Sequence, residues 1–207
     1  MSAVLPPASE RSDAGTLGMW LFLAGELLFF GGLFAGYAIG RLHSPAGFAA
    51  AGVRTDLLLG TLNTAVLLTS SFVIAIAADA AAAHRARAAV LGFAGAALLG
   101  LVFVAVKAVE YRGEWHEGLF PGPGFSMRDA PQGAELFFMW YFSATALHAL
   151  HLVIGMLMAS GCALAQGLRA PAWLRALDAH AVALYWHFVD VVWIFLFPAI
   201  YLVAPRA

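Results

Sequence analysis

The sequence predicts an all-α fold: a polytopic membrane protein built as a single bundle of five transmembrane helices. Of the 207 residues, 62% are apolar and 11% charged, and the mean hydropathy is +0.84. A soluble domain carries about 25% charged residues, so a chain this poor in charge has most of its surface in lipid. The apolar residues also fall into five long runs, at 17–40, 57–78, 88–111, 136–165 and 181–204. Roughly 20 residues rising about 1.5 Å each cross a hydrocarbon core about 30 Å thick, and every run is long enough. What separates the runs is the third observation: charged residues and helix breakers such as Pro171 and Pro121-Gly122-Pro123-Gly124.

Residues 1–16 are polar and contain proline, without the basic start and short apolar core of a cleaved signal, so they are read as an N-terminal tail and the first run as a retained span. The second and third runs are joined by Ala-rich residues 79–87 with His84, Arg85 and Arg87, which leaves room only for a tight turn. Residues 112–135 form the longest connection, and their Pro-Gly repeat excludes helix and places them over the membrane surface. The fourth run is about ten residues longer than a crossing needs. Residues 166–180, broken at Pro171, lead into the fifth run, and 205–207 form a short C-terminal tail. All five runs are apolar nearly all round, as expected of helices in one bundle. Trp20, Tyr37, Tyr111, Trp140, Tyr141 and Tyr201 lie near predicted ends, where an interfacial aromatic belt sits.

The lone Cys162 offers neither a disulfide nor a thiolate metal site, and a net charge of −1 gives no basic face for nucleic acid. The arginines do not decide orientation. With the N-terminus inside, Arg11, Arg85, Arg87, Arg169 and Arg175 lie on one side and Arg41, Arg54, Arg112, Arg128 and Arg206 on the other, a tie under the positive-inside rule.

Topology decides which polar residues can meet. Glu26 and Asp190 each lie nine residues into helices that run the same way, about 14 Å from one face. The antiparallel fourth helix brings His148 and His151 toward that level, and His187 is a turn from Asp190. One layer therefore collects Glu26, His148, His151, His187 and Asp190, with His148/His151 and His187/Asp190 each spaced i,i+3 on one helix face. A second, smaller layer collects Asn63, Lys107 and Glu110. Lys107 and Glu110, again i,i+3, are read as an ion pair near the interface with the lysine snorkelling to water, a pair that contributes under about 1 kcal/mol where water reaches it.

Ionisable residues in lipid are costly and mark function or tight contact. Three chemistries fit the first layer. The side chains hydrogen-bond across helices and hold the bundle where the hydrophobic effect gives no drive for association; or they form a proton path, as in a stand-alone proton-coupled transporter; or they hold a metal or haem. Paired haem ligands face each other from two helices, whereas two of the three intramembrane imidazoles here share one helix face. The Glu-x-x-His spacing of carboxylate di-metal sites is absent.

Several segments carry a resemblance. Leu17-Gly18-Met19-Trp20-Leu21-Phe22-Leu23-Ala24-Gly25-Glu26-Leu27-Leu28-Phe29-Phe30, then Leu62-Asn63-Thr64 and Leu67-Leu68-Thr69-Ser70-Ser71, resemble the opening helices of the bundle in haem-copper oxidase subunit III. Glu110-Tyr111, Thr145-Ala146-Leu147-His148-Ala149-Leu150-His151 and Tyr185-Trp186-His187-Phe188-Val189-Asp190-Val191-Val192-Trp193 continue the match, so every run contributes in the family's order. The chain is similar to the short bacterial form that lacks the first two of seven helices. The resemblance implies a non-catalytic subunit of a proton-pumping cytochrome c or quinol oxidase in the bacterial cytoplasmic membrane, with the N-terminus cytoplasmic and the C-terminus periplasmic. It implies no catalytic residue, cofactor or metal in this chain: haem and copper belong to partner subunits. Subunit I, subunit II and a small subunit IV would be the partners, with bound phospholipid and a role in stabilising the catalytic subunit and sustaining proton uptake. Glu26 matches the family's carbodiimide-reactive glutamate and Glu110 its second acidic position. His148, His151, His187 and Asp190 match positions that tie helices together. Lys107 departs from the family's usual neutral polar residue, and Gly25 from a frequent serine. An accessory subunit associated with nitric oxide reductase shares much of the pattern and is the alternative within this class.

Overall fold

The computed structural model describes residues 8–167 and 177–202, with side chains from residue 17 onward. Its elements are α1 (Ala8–His43), α2 (Pro45–Gly52), α3 (Leu57–Ala82), α4 (Ala86–His116), α5 (Ala134–Gly167) and α6 (Ala179–Tyr201). All but α2 contain a stretch long and apolar enough to cross a membrane. The regular elements among the described residues are all helical, so the chain is an all-α polytopic bundle.

α1, α3, α4 and α5 overrun the apolar runs that predict them, because hydropathy marks the lipid-facing length while backbone hydrogen bonding continues until a breaker intervenes; α6 starts two residues before its run and ends at Tyr201, short of the expected residue 204. α1 takes in residues 8–16 of the expected tail, and α4 ends at His116, five residues past its apolar run. The turn between α3 and α4 shrinks to residues 83–85. The short α2 was not anticipated; its signal is Pro45 at the first helical position, where the missing N–H costs nothing. Asp56 caps α3 by accepting from the backbone N–H groups of Leu58 (2.9 Å) and Leu59 (3.1 Å), and Asp178 caps α6 through His180 N–H at 2.9 Å. The expected break at Pro171 and the 205–207 tail lie outside the described residues.

α3, α4, α5 and α6 close a ring in which α3 packs on α4 and α6, and α5 on the same two; α1 and α2 pack outside it, α2 on α5 and α1 along α5 and α6. In lipid such packing depends on close approach and on hydrogen bonds. A Cβ at Gly92 would lie 2.6 Å from Ala77 Cβ, so α3 and α4 touch at backbone distance there. At Gly60 it would fall 2.7 Å from the Tyr201 ring, so the absent side chain makes the space for that tyrosine. Trp186, Trp193, Phe103 and Leu67, all under 2% exposed, fill the ring interior.

The α3–α4 turn ends in a Schellman motif, with Arg85 N–H donating to Ala80 C=O (2.8 Å) and His84 N–H to Ala81 C=O (3.0 Å). His84 takes the left-handed residue's place at φ 55°, where glycine is normal. Replacing it relieves the Cβ clash at the cost of some chain entropy. His84→Gly is expected to stabilise the protein by about 0.5–1 kcal/mol, read as a higher Tm in detergent. An unchanged or lower Tm would contradict this account of the turn.

Candidate functional site

The first polar layer resolves into separate contacts. Glu26 on α1 meets His151 on α5, with Oε2 3.1 Å from Nε2, and the side chains are 21% and 12% exposed. His151 Nδ1 faces its own helix, 2.8 Å from Leu147 C=O. A carbonyl only accepts, so Nδ1 carries a hydrogen. The Glu26–His151 bond then holds one proton of its own, either on Nε2 beside a carboxylate or on the carboxyl beside a neutral ring. Tyr185 OH donates to His151 C=O at 3.0 Å, and the Phe30 ring stands edge-on to the imidazole at 5.3 Å.

His187 pairs elsewhere, its Nδ1 lying 2.8 Å from Ser71 Oγ on α3. Asp190 is 4% exposed, and neither carboxyl oxygen has a hydrogen-bond partner among the described residues. The Ser71 hydroxyl lies near it as well, but only the His187 contact has hydrogen-bond geometry. His148 is fully buried with both nitrogens unbonded, its ring between Phe103 (5.5 Å) and Trp193 (5.1 Å). The i,i+3 spacing therefore turns His151 toward α1 and leaves His148 inside the ring.

The second layer is larger than its sequence signal. Lys107 is 4% exposed and does not snorkel, which corrects the expectation of a wet interfacial pair. α4 continues past the lysine to His116, and α5 and α6 close over it. Lys107 Nζ donates to Glu110 Oε2 (3.1 Å), Tyr141 OH (2.8 Å) and Tyr201 OH (3.1 Å). Glu110 Oε1 accepts from Tyr141 (3.1 Å) and Tyr201 (2.6 Å). Nζ also lies 4.5 Å from the Tyr141 ring centroid and 5.9 Å from that of Trp193. Asn63 stays out of this network, fully buried with neither amide atom bonded.

Tyr141, Tyr201 and Glu114 are members that sequence reasoning missed as polar groups. The tyrosines' place near the span ends suits an interfacial belt, which is where the sequence puts them. Glu114 is 6% exposed, with no hydrogen bond to either oxygen among the described residues. The available signal was spacing: Lys107, Glu110 and Glu114 fall i, i+3 and i+7 on one helix, a single stripe once α4 is carried beyond residue 111. Tyr111 OH and Thr145 Oγ1 form a further hydrogen bond between α4 and α5.

No group of three or more His, Cys, Asp or Glu side chains among the described residues converges as a metal site needs. His148 and His151 do not fit haem or copper either: aromatic rings wall in His148, while Glu26 and the Leu147 carbonyl occupy both nitrogens of His151. What the clusters do is join helices. A buried ion pair is favourable only with its hydrogen bonds complete, and losing one member costs about 3–5 kcal/mol. Lys107→Met should therefore destabilise the bundle by about that much. Adding Glu110→Gln should restore part of the loss, because it removes the stranded charge. Denaturant unfolding of the four proteins of the cycle checks this, and strictly additive effects would show that the pair is not coupled.

Residues 12–204 match the family model described as cytochrome c oxidase subunit III. The cytochrome c oxidase subunit 3 of Thermostichus vulcanus is 33% identical over 199 residues, covering 94% of this chain and 90% of that protein. The corresponding proteins of Triticum aestivum (32%) and Danio rerio (33%) match over 89% of this chain, which spans 66% and 67% of their lengths. A match running through all the membrane-crossing helices places the chain in the cytochrome c oxidase subunit III family.

Proposed function

We propose that the chain serves as subunit III of a bacterial respiratory terminal oxidase in the cytoplasmic membrane, with its N-terminus cytoplasmic and its C-terminus periplasmic. Its work there is mechanical and proton-linked: it buttresses the catalytic subunit I beside subunit II and a small subunit IV, and sustains proton uptake, while haem and copper reside in those partners. Cytochrome c is the electron donor under this reading, in keeping with the names of the relatives. The observation that carries the proposal is the family match over residues 12–204, joined to polar clusters whose side chains end on neighbouring helices rather than around a common centre.

The test is to purify the assembled complex, strip this chain from it, and record optical spectra of both fractions. Haem absorbance should stay wholly with the remaining subunits, and its departure with this chain would contradict the proposal. Solute flux by the isolated chain in liposomes would point to a stand-alone transporter instead.

Glu26 is the proposed proton-linked residue, since its bond to His151 contains a proton able to sit on either partner. Glu26→Gln keeps the size and a hydrogen bond but cannot ionise. The variant complex should keep its haem spectrum while losing turnover lifetime or slowing proton uptake several-fold. Unchanged proton uptake and lifetime would reduce Glu26 to a packing residue.

A further inference from the structure

The rings of Tyr185 and Trp186 on α6 lie against α5 where that helix has no side chain, at Gly155. A Cβ there would stand 3.2 Å from Trp186 Cε3 and 3.4 Å from Tyr185 Cε1, so the bare glycine is what lets the two rings come this close. Tyr185 is 2% exposed, and a buried hydroxyl needs a partner. It donates to the carbonyl of His151, one helical turn before Gly155, at 3.0 Å. In a regular helix that carbonyl already accepts from the N–H of residue 155, and its second lone pair takes the phenol.

The same tyrosine touches the helix that carries the acid. Phe22, Glu26 and Phe30 recur every four residues and share one face of α1. Phe22 meets the Tyr185 ring at 6.1 Å and Phe30 meets the His151 ring at 5.3 Å, one on each side of Glu26. Tyr185 therefore spans from the backbone of His151 on α5 to the face of α1 that presents Glu26. The imidazole has little freedom of its own, because Nδ1 is tied to the Leu147 carbonyl. What can still vary is the separation of α1 from α5. The pair bonds across 3.1 Å, and a gap of about 3.6 Å is no longer a hydrogen bond.

We infer that Tyr185 is the positioning residue of the Glu26–His151 pair: its hydroxyl and ring hold α5 against α1 at the separation where one proton is shared. Its hydrogen points at the His151 carbonyl, so it donates to neither Glu26 nor the imidazole and acts on the proton only through the place it gives them. For its effect on turnover, this role rests on the reading of Glu26 as the proton-linked residue. Without the hydroxyl the pair loosens, and the Glu26 carboxyl that His151 covers becomes easier for a reagent to reach.

The test uses the assembled complex in nanodiscs and follows two quantities: the rate at which a hydrophobic carbodiimide modifies Glu26, located by peptide mass, and proton uptake. Tyr185→Phe removes the hydroxyl and keeps the ring. It should speed labelling about five-fold, the factor one neutral hydrogen bond is worth, and slow proton uptake. Gly155→Ala moves both rings by a few tenths of an ångström and keeps the hydroxyl. It should act in the same direction to a smaller extent, which keeps the result readable if Tyr185→Phe fails to assemble. Both effects on labelling should vanish in a His151→Leu background, because Tyr185 acts through that imidazole, whereas a general loosening of the bundle would persist there. Tyr111→Phe, which removes a phenol hydrogen bond between α4 and α5, should leave the labelling rate at the parent value. Parent-like labelling in both Tyr185→Phe and Gly155→Ala would overturn the inference, as would equal acceleration by Tyr185→Phe with and without His151. Faster labelling with unchanged proton uptake would support the positioning role and count against the proton-linked reading of Glu26 instead.

Discussion

The Lys107–Glu110 pair is the contact on which closure of the four-helix ring turns. Both residues come from α4, but the hydroxyls that complete their hydrogen bonds come from α5 (Tyr141) and α6 (Tyr201). Tyr201 reaches them only because α3 has no side chain at Gly60. One ion pair thus sets requirements on all four helices of the ring. Lipid tails are as apolar as the side chains facing them, so apolar burial gives helices little reason to prefer each other. A lysine and a glutamate that must find their donors and acceptors inside give them one.

Much of this was legible in the sequence, and the limits have physical causes. Five crossings follow from apolar run length, because a bilayer imposes one length on every span. Helix ends do not follow, since the backbone of α4 has no reason to stop where its side chains turn polar, and that placed Glu114 in a connection rather than in the core. The same error made Lys107 look interfacial. Periodicity put His148 and His151 on one face, which is right to within a turn, but an i,i+3 step still rotates the second side chain by about 60° from the first. That rotation sends His151 to Glu26 and His148 to Phe103 and Trp193. Tyr141 and Tyr201 were invisible as polar partners because tyrosine near a span's end serves a membrane interface equally well.

α1 shows how few contacts suffice when apolar burial does not discriminate. Most of its large side chains are exposed, Leu28 at 79% and Leu21 at 66% among them. Its polar ties to the ring fall at Glu26, at Leu33, whose carbonyl accepts from Trp140 Nε1 at 3.0 Å, and at Tyr37, whose hydroxyl donates to Ala199 C=O at 2.6 Å. These positions step by seven and then four residues, which returns each to the same stripe of a helix with 3.6 residues per turn. Tyr37 and Phe34 add ring contacts to Trp140, at 4.3 and 6.0 Å. One stripe thus fixes α1 by direction, while the rest of its surface is free to face lipid or a partner.

The Glu26–His151 contact explains how an acid persists on so exposed a helix. A lone carboxylate at this depth would carry an uncompensated charge into a medium that solvates it poorly. Here the proton count fixed by the Leu147 carbonyl leaves two arrangements, imidazolium with carboxylate or imidazole with carboxylic acid. Both have zero net charge. A proton crossing the 3.1 Å gap between Nε2 and Oε2 changes the dipole of the pair and leaves its charge as it was. The shared proton can therefore shift between the two partners without leaving an uncompensated charge in lipid, and the hydrogen bond that docks α1 is the same one that makes Glu26 tolerable.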